Sequence, residues 1–458
     1  MFKKFHFSVI NLWCSKNLVD IEFMIWNIFN YADKIDIEFS LNPDDENIEY
    51  VIINTCWFLS SSRKEAEEVI KEFDDKWKKV ILMWCYAEVK DNDFILSLKN
   101  LHAIIPHWDS KDINLIFENK EFSETLKDKI DKTKLEKVKN YLKWIWWDNL
   151  SKKAFIWNSS DQRAYINADF GHEFLKISEW CDNNCSFCII PSIRWRQKSR
   201  NIEDIITEVK IMLQNWIKEI QIISQDTTRY GTDFWDSNPK LIDLLEEIDK
   251  VEWDFKYKVY YMYPDILTFN HLDRMSKLKK MLPYFDMPFQ HISPKILKRM
   301  WRFYDEKHIY KILDYIKELF PNVFLHTNFI VWFPWEEESD FELLKDFAKK
   351  YEFDSVSMFG YHDEPLASSS KLDQKISDEI IEKRVYELRE ILDEIYDKKD
   401  IKRVWKKEVW YIMNIWNNKC EVRPEIKAPE VDEYDIVKFE DILSKDFDLW
   451  SKVEYILK

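Results

Sequence analysis

Three thiols lie close together in Cys181-Asp-Asn-Asn-Cys185-Ser-Phe-Cys188, separated by three and then two residues. Cysteine thiolates hold iron–sulfur clusters, and three ligands leave one iron of a 4Fe-4S cube open to a substrate or cofactor. A structural zinc ion normally closes its shell with four ligands. The next histidine downstream is His271, and His172 stands alone upstream, so the ligand count favours a cluster. Cys14, Cys56 and Cys85 are too widely separated for spacing to carry meaning, and taken alone they read as isolated buried thiols. Cys420 reads as an ordinary buried or surface thiol.

The elements that must position these cysteines are visible as apolar runs. Runs at 7–12, 50–53 and 80–83 predict buried strands, each followed within a few residues by a cysteine; a helical pattern at 60–71 follows the second. Cysteines at the carboxyl ends of separate parallel strands converge on one sheet edge, where such folds bind ligands. Residues 119–163 are rich in Lys, Asp, Glu and Asn, with a helical stretch at 122–142, and read as a linker. Strand–helix alternation resumes over 164–393, with strands expected at 217–223, 258–263, 323–331 and 355–361, as in a full or partial (β/α) barrel. A charge-laced helix at 377–402 leads into a small β module, 394–458. The expected fold is therefore α/β: an N-terminal parallel α/β domain (1–118), the linker, a central partial barrel and a small C-terminal β-barrel.

Composition narrows the class. A chain of 458 residues exceeds one ordinary core. No apolar run approaches the roughly 18 residues of a membrane span, and no cleavage-like segment follows the basic start, so a cytoplasmic protein without a membrane anchor is expected. In that setting cysteines serve better as ligands than as disulfides. The net charge of −16 argues against broad nucleic-acid binding and for a basic partner.

One ratio is abnormal: 3 glycines stand against 22 tryptophans, whereas glycine ordinarily makes up about 7% of a protein. Turns and helix ends need left-handed backbone, which glycine adopts freely and tryptophan does not. Exchanging every Trp for Gly would bring glycine to 25 residues. A gene that uses UGA for glycine, translated by the standard code, gives this pattern. Trp13, Trp57, Trp84, Trp180, Trp332 and Trp335 all sit where a tight turn would follow a strand or flank a ligand.

With Phe187 just before its last cysteine, the segment Cys181–Cys188 resembles the radical S-adenosylmethionine signature. The resemblance implies a 4Fe-4S cluster whose open iron chelates the cofactor, with Phe187 near the adenine; an ordinary core aromatic is the alternative. Asn11-Leu-Trp-Cys-Ser-Lys-Asn-Leu-Val-Asp20, Ile53-Asn-Thr-Cys-Trp-Phe58 and Met83-Trp-Cys-Tyr-Ala87 resemble the cysteine segments of the methylthiotransferase family, once the adjoining Trp is read as Gly. By that resemblance Cys14, Cys56 and Cys85 hold a second 4Fe-4S cluster that delivers sulfur. Leu175 to Arg196, Ser224-Gln-Asp-Thr-Thr, Met287-Pro-Phe-Gln-His291 and Ile330-Val-Trp-Phe-Pro-Trp-Glu336 are similar to the RimO branch, and Arg423 with Ala428-Pro-Glu-Val-Asp432 to the family's TRAM β-barrel.

The resemblance implies methylthiolation of an aspartate of small-subunit ribosomal protein twelve, dependent on S-adenosylmethionine, a reductant protein and a sulfur source. The MiaB-like alternative modifies a tRNA adenosine, which the acidic terminal module disfavours. If the tryptophans are genuine, a non-catalytic iron–sulfur relative is the other alternative, because bulky rings beside ligand cysteines obstruct a cluster. Gln290 and His291 are expected near the barrel mouth, with a structural role the simpler reading for the histidine. Arg194, Arg196 and Arg200 are expected to touch cofactor or substrate carboxylates or to form a solvated basic patch. Asp226 is expected to cap a turn or to enter the cofactor site. Asp363-Glu364-Pro365 departs from the family's acidic, glycine-containing loop.

Overall fold

The computed structural model describes residues 3–12, 15–55, 60–84, 93–105, 113, 115–118, 163–164, 171–193, 196–234, 240–404, 406–416, 419–429, 431–432, 434–442 and 451–456. These fall into two compact units, 1–166 and 167–458.

In the first unit, alternation of apolar side chains builds a sheet covered on both faces. Strands β1 (Lys3–Asn11), β2 (Ile35–Ser40), β3 (Tyr50–Thr55), β4 (Lys79–Trp84) and β5 (Leu101–Ile105) lie in the order β2-β1-β3-β4-β5. Every pairing is parallel. Tyr50, Ile52, Ile81 and Met83 pack into one apolar layer, and Val51, Ile53, Val80 and Leu82 into the other. A side-chain period of two puts neighbours on opposite faces, so uninterrupted apolar runs mark strands buried on both sides. Strands β1, β3 and β4 end flush, with Asn11 opposite Asn54 and Asn54 opposite Met83. Asn54 Nδ2 donates to Asn11 Oδ1 (3.1 Å) and to the Asn17 carbonyl (2.9 Å), and Thr55 Oγ1 donates to the Met83 carbonyl (2.6 Å).

The helical stretch expected at 122–142 lies outside the described residues. The chain returns at Arg163, whose Nε donates to Glu22 Oε2 (2.6 Å) with both side chains fully buried. Ala164 N–H donates to the Glu22 carbonyl. Residues 163 and 164 thus pack with the first unit.

The second unit is built on six parallel strands: β6 (His172–Lys176), then, after the short antiparallel pair β7 (Ser178–Glu179) and β8 (Lys198–Ser199), β9 (Glu219–Ile223), β10 (Lys256–Val259), β11 (Met281–Asp286), β12 (Phe324–Val331) and β13 (Ser355–Gly360). Their order is β13-β12-β11-β10-β9-β6, with helices such as Ile202–Gln214, Leu241–Asp249 and Glu306–Leu319 between them. The helix Asp378–Arg403 runs through position 393/394, and after it β14 (Lys407–Trp416), β15 (Lys419–Pro424), β16 (Asp435–Lys438) and β17 (Lys452–Ile456) form an antiparallel sheet ordered β16-β15-β14-β17. Cys420 lies in that sheet's apolar core. No helix among the described residues is long and apolar enough to cross a membrane.

A buried charge cluster joins this last sheet to the partial barrel. Arg423 of β15 reaches Glu219 of β9, with Nη2 2.6 Å from Oε2 and Nη1 3.3 Å from Oε1, while Lys258 of β10 pairs with Glu219 Oε1. Burial pushes the Glu219 carboxyl upward, but the Arg423 charge and then the Lys258 charge outweigh it and hold it down at about 2.

Among the described residues, six of the eleven non-glycine residues with left-handed backbone are tryptophans: Trp77, Trp180, Trp216, Trp301, Trp332 and Trp335. Three of them end helices in the same way. Trp77 N–H donates to the Asp74 carbonyl and Lys78 N–H to Phe73; Trp216 to Leu213 and Ile217 to Met212; Trp301 to Lys298 and Arg302 to Leu297. This is the Schellman pattern, whose left-handed position usually carries glycine. Trp77 and Trp216 are 77% and 82% exposed, so little packing compensates the backbone strain. Trp332 is buried with its indole N–H unpartnered.

Two outcomes follow from these features. Left-handed backbone costs an L-residue about 1–2 kcal/mol, and glycine's own entropic cost is about 0.5–1 kcal/mol. Trp77→Gly and Trp216→Gly are therefore expected to raise the urea midpoint, each adding up to about 1 kcal/mol, whereas the alanine variants should not. Arg423→Met leaves Glu219 short of one buried partner and should cost about 3 kcal/mol in urea unfolding. Because the folded Glu219 carboxyl lies below its unfolded value, its stabilisation is complete above the ordinary carboxylate range and is lost as pH falls toward about 2. An acid titration of wild type against Arg423→Met should show the variant unfolding at higher pH.

Candidate active site

The segment carrying Cys181, Cys185 and Cys188 has little regular structure of its own, so its shape depends on what holds it. Internally, Cys188 N–H donates to the Cys185 carbonyl (3.0 Å) and Asn183 N–H to Cys181 Sγ (3.4 Å). Three barrel loops then grip it. Beyond β9, Asp226 Oδ2 accepts from Asn183 Nδ2 at 2.6 Å. At the end of the helix Pro294–Arg299, the carbonyls of Met300 and Arg299 accept from Ser186 N–H (3.0 Å) and Ser186 Oγ (2.7 Å). Beyond β13, Ser369 N–H donates to the Ser186 carbonyl (2.8 Å). Asp182 Oδ1 also accepts from Gln197 N–H (2.8 Å). The site thus sits at the carboxyl ends of the barrel strands, where a parallel α/β fold presents its loops.

A cavity of about 440 Å³ opens beside the segment, lined by Asn184, Cys185, Cys188, Trp301, Pro365 and Lys371 among others. Burial pushes the Cys181 thiol up to about 12, the nearby Asp226 carboxylate adding to it, and burial with the neighbouring Cys185 pushes Cys188 up as well. Thiols in such surroundings lose their protons only to a strongly electrophilic partner, which iron provides. Among the described residues no three His, Cys, Asp or Glu side chains are arranged to hold one metal ion. An iron–sulfur cube takes its ligands on separate corners and does not require three thiols converging on one ion.

Phe187 points into an apolar cluster of Ile296, Met300, Ile330, Phe333 and Tyr361, with the Arg302 guanidinium 5.7 Å from its ring centre. Asp226 is buried and caps no helix: it accepts from Asn183 and from Thr228 Oγ1 (2.5 Å) and lies 3.2 Å from Arg229 Nε. Burial raises its carboxyl, with the Thr228 hydrogen bond opposing. Arg200 is neither a cofactor contact nor part of a solvated patch, since it is buried against Asp204, Glu208 and the Lys176 carbonyl. Arg196 is exposed, and Arg194 lies outside the described residues. Gln290 takes left-handed backbone and bridges to Phe329. His291 is structural: its Nδ1 accepts from Ser293 N–H (2.9 Å) and its Nε2 lies 3.6 Å from Glu336, which itself accepts from Phe333 N–H (2.9 Å). In the departing loop, Asp363 takes the Tyr361 hydroxyl (3.0 Å) and pairs with Lys375, while Pro365 reaches the cavity wall.

Sequence reasoning missed Ser186, Ser369 and Arg302. Hydroxyls and a cation within loops carry no periodic signal; a pointer to Arg302 is its place three residues beyond a helix end.

Cys14, Cys56 and Cys85 lie outside the described residues, but the strands before them do not. Cys56 directly follows β3, Cys85 directly follows β4, and Cys14 comes three residues after β1; these are three adjacent parallel strands.

Comparison with known proteins accounts for both units. Residues 175–348 match the model of the radical SAM superfamily, and residues 6–105 match the uncharacterized protein family UPF0004. The ribosomal protein uS12 methylthiotransferase RimO of Aquifex aeolicus is 32% identical over 93% of this chain and 89% of its own length. That of Clostridioides difficile is 32% identical over 94% and 92%. Among solved structures, the cobalamin-dependent radical enzyme OxsB (TM-score 0.52, 12% identity, 85% of this chain and 56% of that one) and the radical S-adenosylmethionine methyltransferase TsrM from Kitasatospora setae (TM-score 0.54, 10% identity, 80% and 74%) share the fold. Matching at this identity across nine-tenths of its length, the chain belongs to the RimO family of radical S-adenosylmethionine methylthiotransferases.

Proposed function

We propose that this enzyme attaches a methylthio group to an aspartate side chain of ribosomal protein uS12, with Cys181, Cys185 and Cys188 holding one 4Fe-4S cluster and Cys14, Cys56 and Cys85 a second. The observation that carries this reading is the grip of three barrel loops on the Cys181–Cys188 segment beside an open cavity. Held by Cys181, Cys185 and Cys188, a 4Fe-4S cluster would supply one-electron reduction of S-adenosylmethionine and so the power to open an unactivated C–H bond. The chain's own part is to fix three thiolates, to leave the cavity side open for the cofactor, and to exclude water with the apolar group around Phe187. The flush ends of β1, β3 and β4 support the second ligand set. The reading takes a basic ribosomal protein as substrate, which suits a chain of net charge −16 better than a polyanionic tRNA does.

The same reading assigns glycine, through UGA codons, to most Trp positions; the three Schellman ends and the unpartnered Trp332 support it.

Anaerobic reconstitution of the full chain, carrying glycine at the Trp positions, is expected to yield two clusters, about eight irons. Cys188→Ala should lose one of them, Cys56→Ala the other. Incubation with S-adenosylmethionine, a reductant and purified uS12 should give a methylthio adduct on an aspartate, seen by peptide mass spectrometry. An adduct on tRNA adenosine alone would reassign the substrate. For the recoding, peptide mass spectrometry of protein from its native cells should read glycine at positions 77, 216 and 301; tryptophan at those sites would overturn it.

A further inference from the structure

Arg302 is a buried cation whose polar partner is the Tyr263 side chain and which has no carboxylate beside it among the described residues. It is only 5% exposed, and its Nε and Nη2 find no hydrogen-bond acceptor. Among the described residues no carboxylate stands within ion-pair distance of it. Aromatic faces surround it: the guanidinium carbon lies 4.2 Å from the ring centre of Tyr263, 5.7 Å from that of Phe187 and 6.0 Å from that of Tyr304. The Tyr304 hydroxyl is already given to the Phe289 carbonyl (2.9 Å). Stacking on rings offsets part of the desolvation of a cation but leaves its in-plane N–H donors unsatisfied. A buried guanidinium without a carboxylate partner is costly, and an anion placed beside its free N–H donors would offset that cost.

The position of that anion is fixed by the backbone. The turn 300–302 is hydrogen-bonded directly to the cysteine segment through Ser186, and Arg302 N–H closes the helix end on the Leu297 carbonyl (2.8 Å). The Arg302 charge lies near enough to the cysteine segment to act on the Cys181 and Cys188 thiols, and Cys185 is among the groups nearest to it.

We propose that Arg302 is the built-in counter-charge of the iron–sulfur centre, its Nε–H and Nη2–H donating to sulfur on the Cys185 side of the cluster and favouring the reduced form. This rests on the reading that Cys181, Cys185 and Cys188 hold that cluster. Reduction adds one electron from a one-electron donor and one negative charge to the centre, with no bond made or broken, so a fixed cation beside it stabilises the product. Hydrogen bonds to the sulfurs and nearby charge are the protein's levers on such potentials.

The test is the midpoint potential of this cluster, followed by electron paramagnetic resonance in the reconstituted full chain with Cys56→Ala removing the other cluster. Arg302→Met should lower the reduced fraction at a fixed potential about tenfold, a downward shift of about 59 mV for one electron. Arg302→Lys, which keeps the charge, should restore most of it. An intact cluster with unchanged potential in Arg302→Met overturns the proposal. So does an unchanged potential combined with loss of the spectral change on adding S-adenosylmethionine, which would place the guanidinium on the cofactor's carboxylate instead. Should both variants fail to hold iron, arginine labelled with ¹⁵N in the guanidinium decides the matter in the otherwise unaltered chain. A ¹⁵N hyperfine coupling to the reduced cluster supports the proposal, and its absence overturns it. A reference chain that binds no iron at this site would sink the underlying ligand assignment, an outcome distinct from a shifted or unshifted potential.

Discussion

A segment with three closely spaced thiols and almost no regular structure cannot hold its own shape, and the second unit is organised around supplying that shape from outside. Ser186 uses its N–H, its hydroxyl and its carbonyl on two different barrel loops, and Asn183 is held by a third through Asp226. Each of these bonds is worth only about 1 kcal/mol net. Their value is geometric: three loops from separate strands fix the segment at several points, so the thiols keep their spacing only while β9, β11 and β13 keep theirs. The buried strands of the parallel sheet are in this sense part of what shapes the cysteine segment.

The cysteine pattern was legible because ligand spacing is local. Strand positions were legible where apolar residues dominate a run, as at β3 and β4, or bracket it, as Phe324-Leu325 and Phe329-Ile330-Val331 do in β12. β11 was not, because Pro283 interrupts Met281–Asp286 and a proline inside a run argues against a strand. β10 ends at Val259, short of the expected 263, because Tyr261 takes left-handed backbone as the chain turns toward Asp286. Burial of charge was invisible for a different reason. Arg200 and Arg302 look like surface cations in sequence; one is consumed by Asp204 and Glu208, and the other sits in a box of aromatic rings. Those partners come together only in three dimensions.

The tryptophans show how composition and conformation can be read against each other. Trp335 is accommodated, its indole N–H given to Asp373 and its ring under Arg299. Trp77 and Trp216 have no such compensation and share one helix-ending geometry. Trp301 has that geometry too, and it is also a wall of the cavity and the immediate neighbour of Arg302. The residue at position 301 therefore bears on both the space available for a cofactor and the aim of the guanidinium.

The buried pair of Arg163 with Glu22 has a topological consequence. The two residues stand 141 positions apart, and everything from 119 to 162 lies on the path between them. A chain cut within that stretch would still carry, on its downstream fragment, an arginine and a backbone N–H seated in the core of the first unit. Severing the polypeptide there would not by itself release the fragments: the first unit is closed by a residue that arrives after the intervening segment.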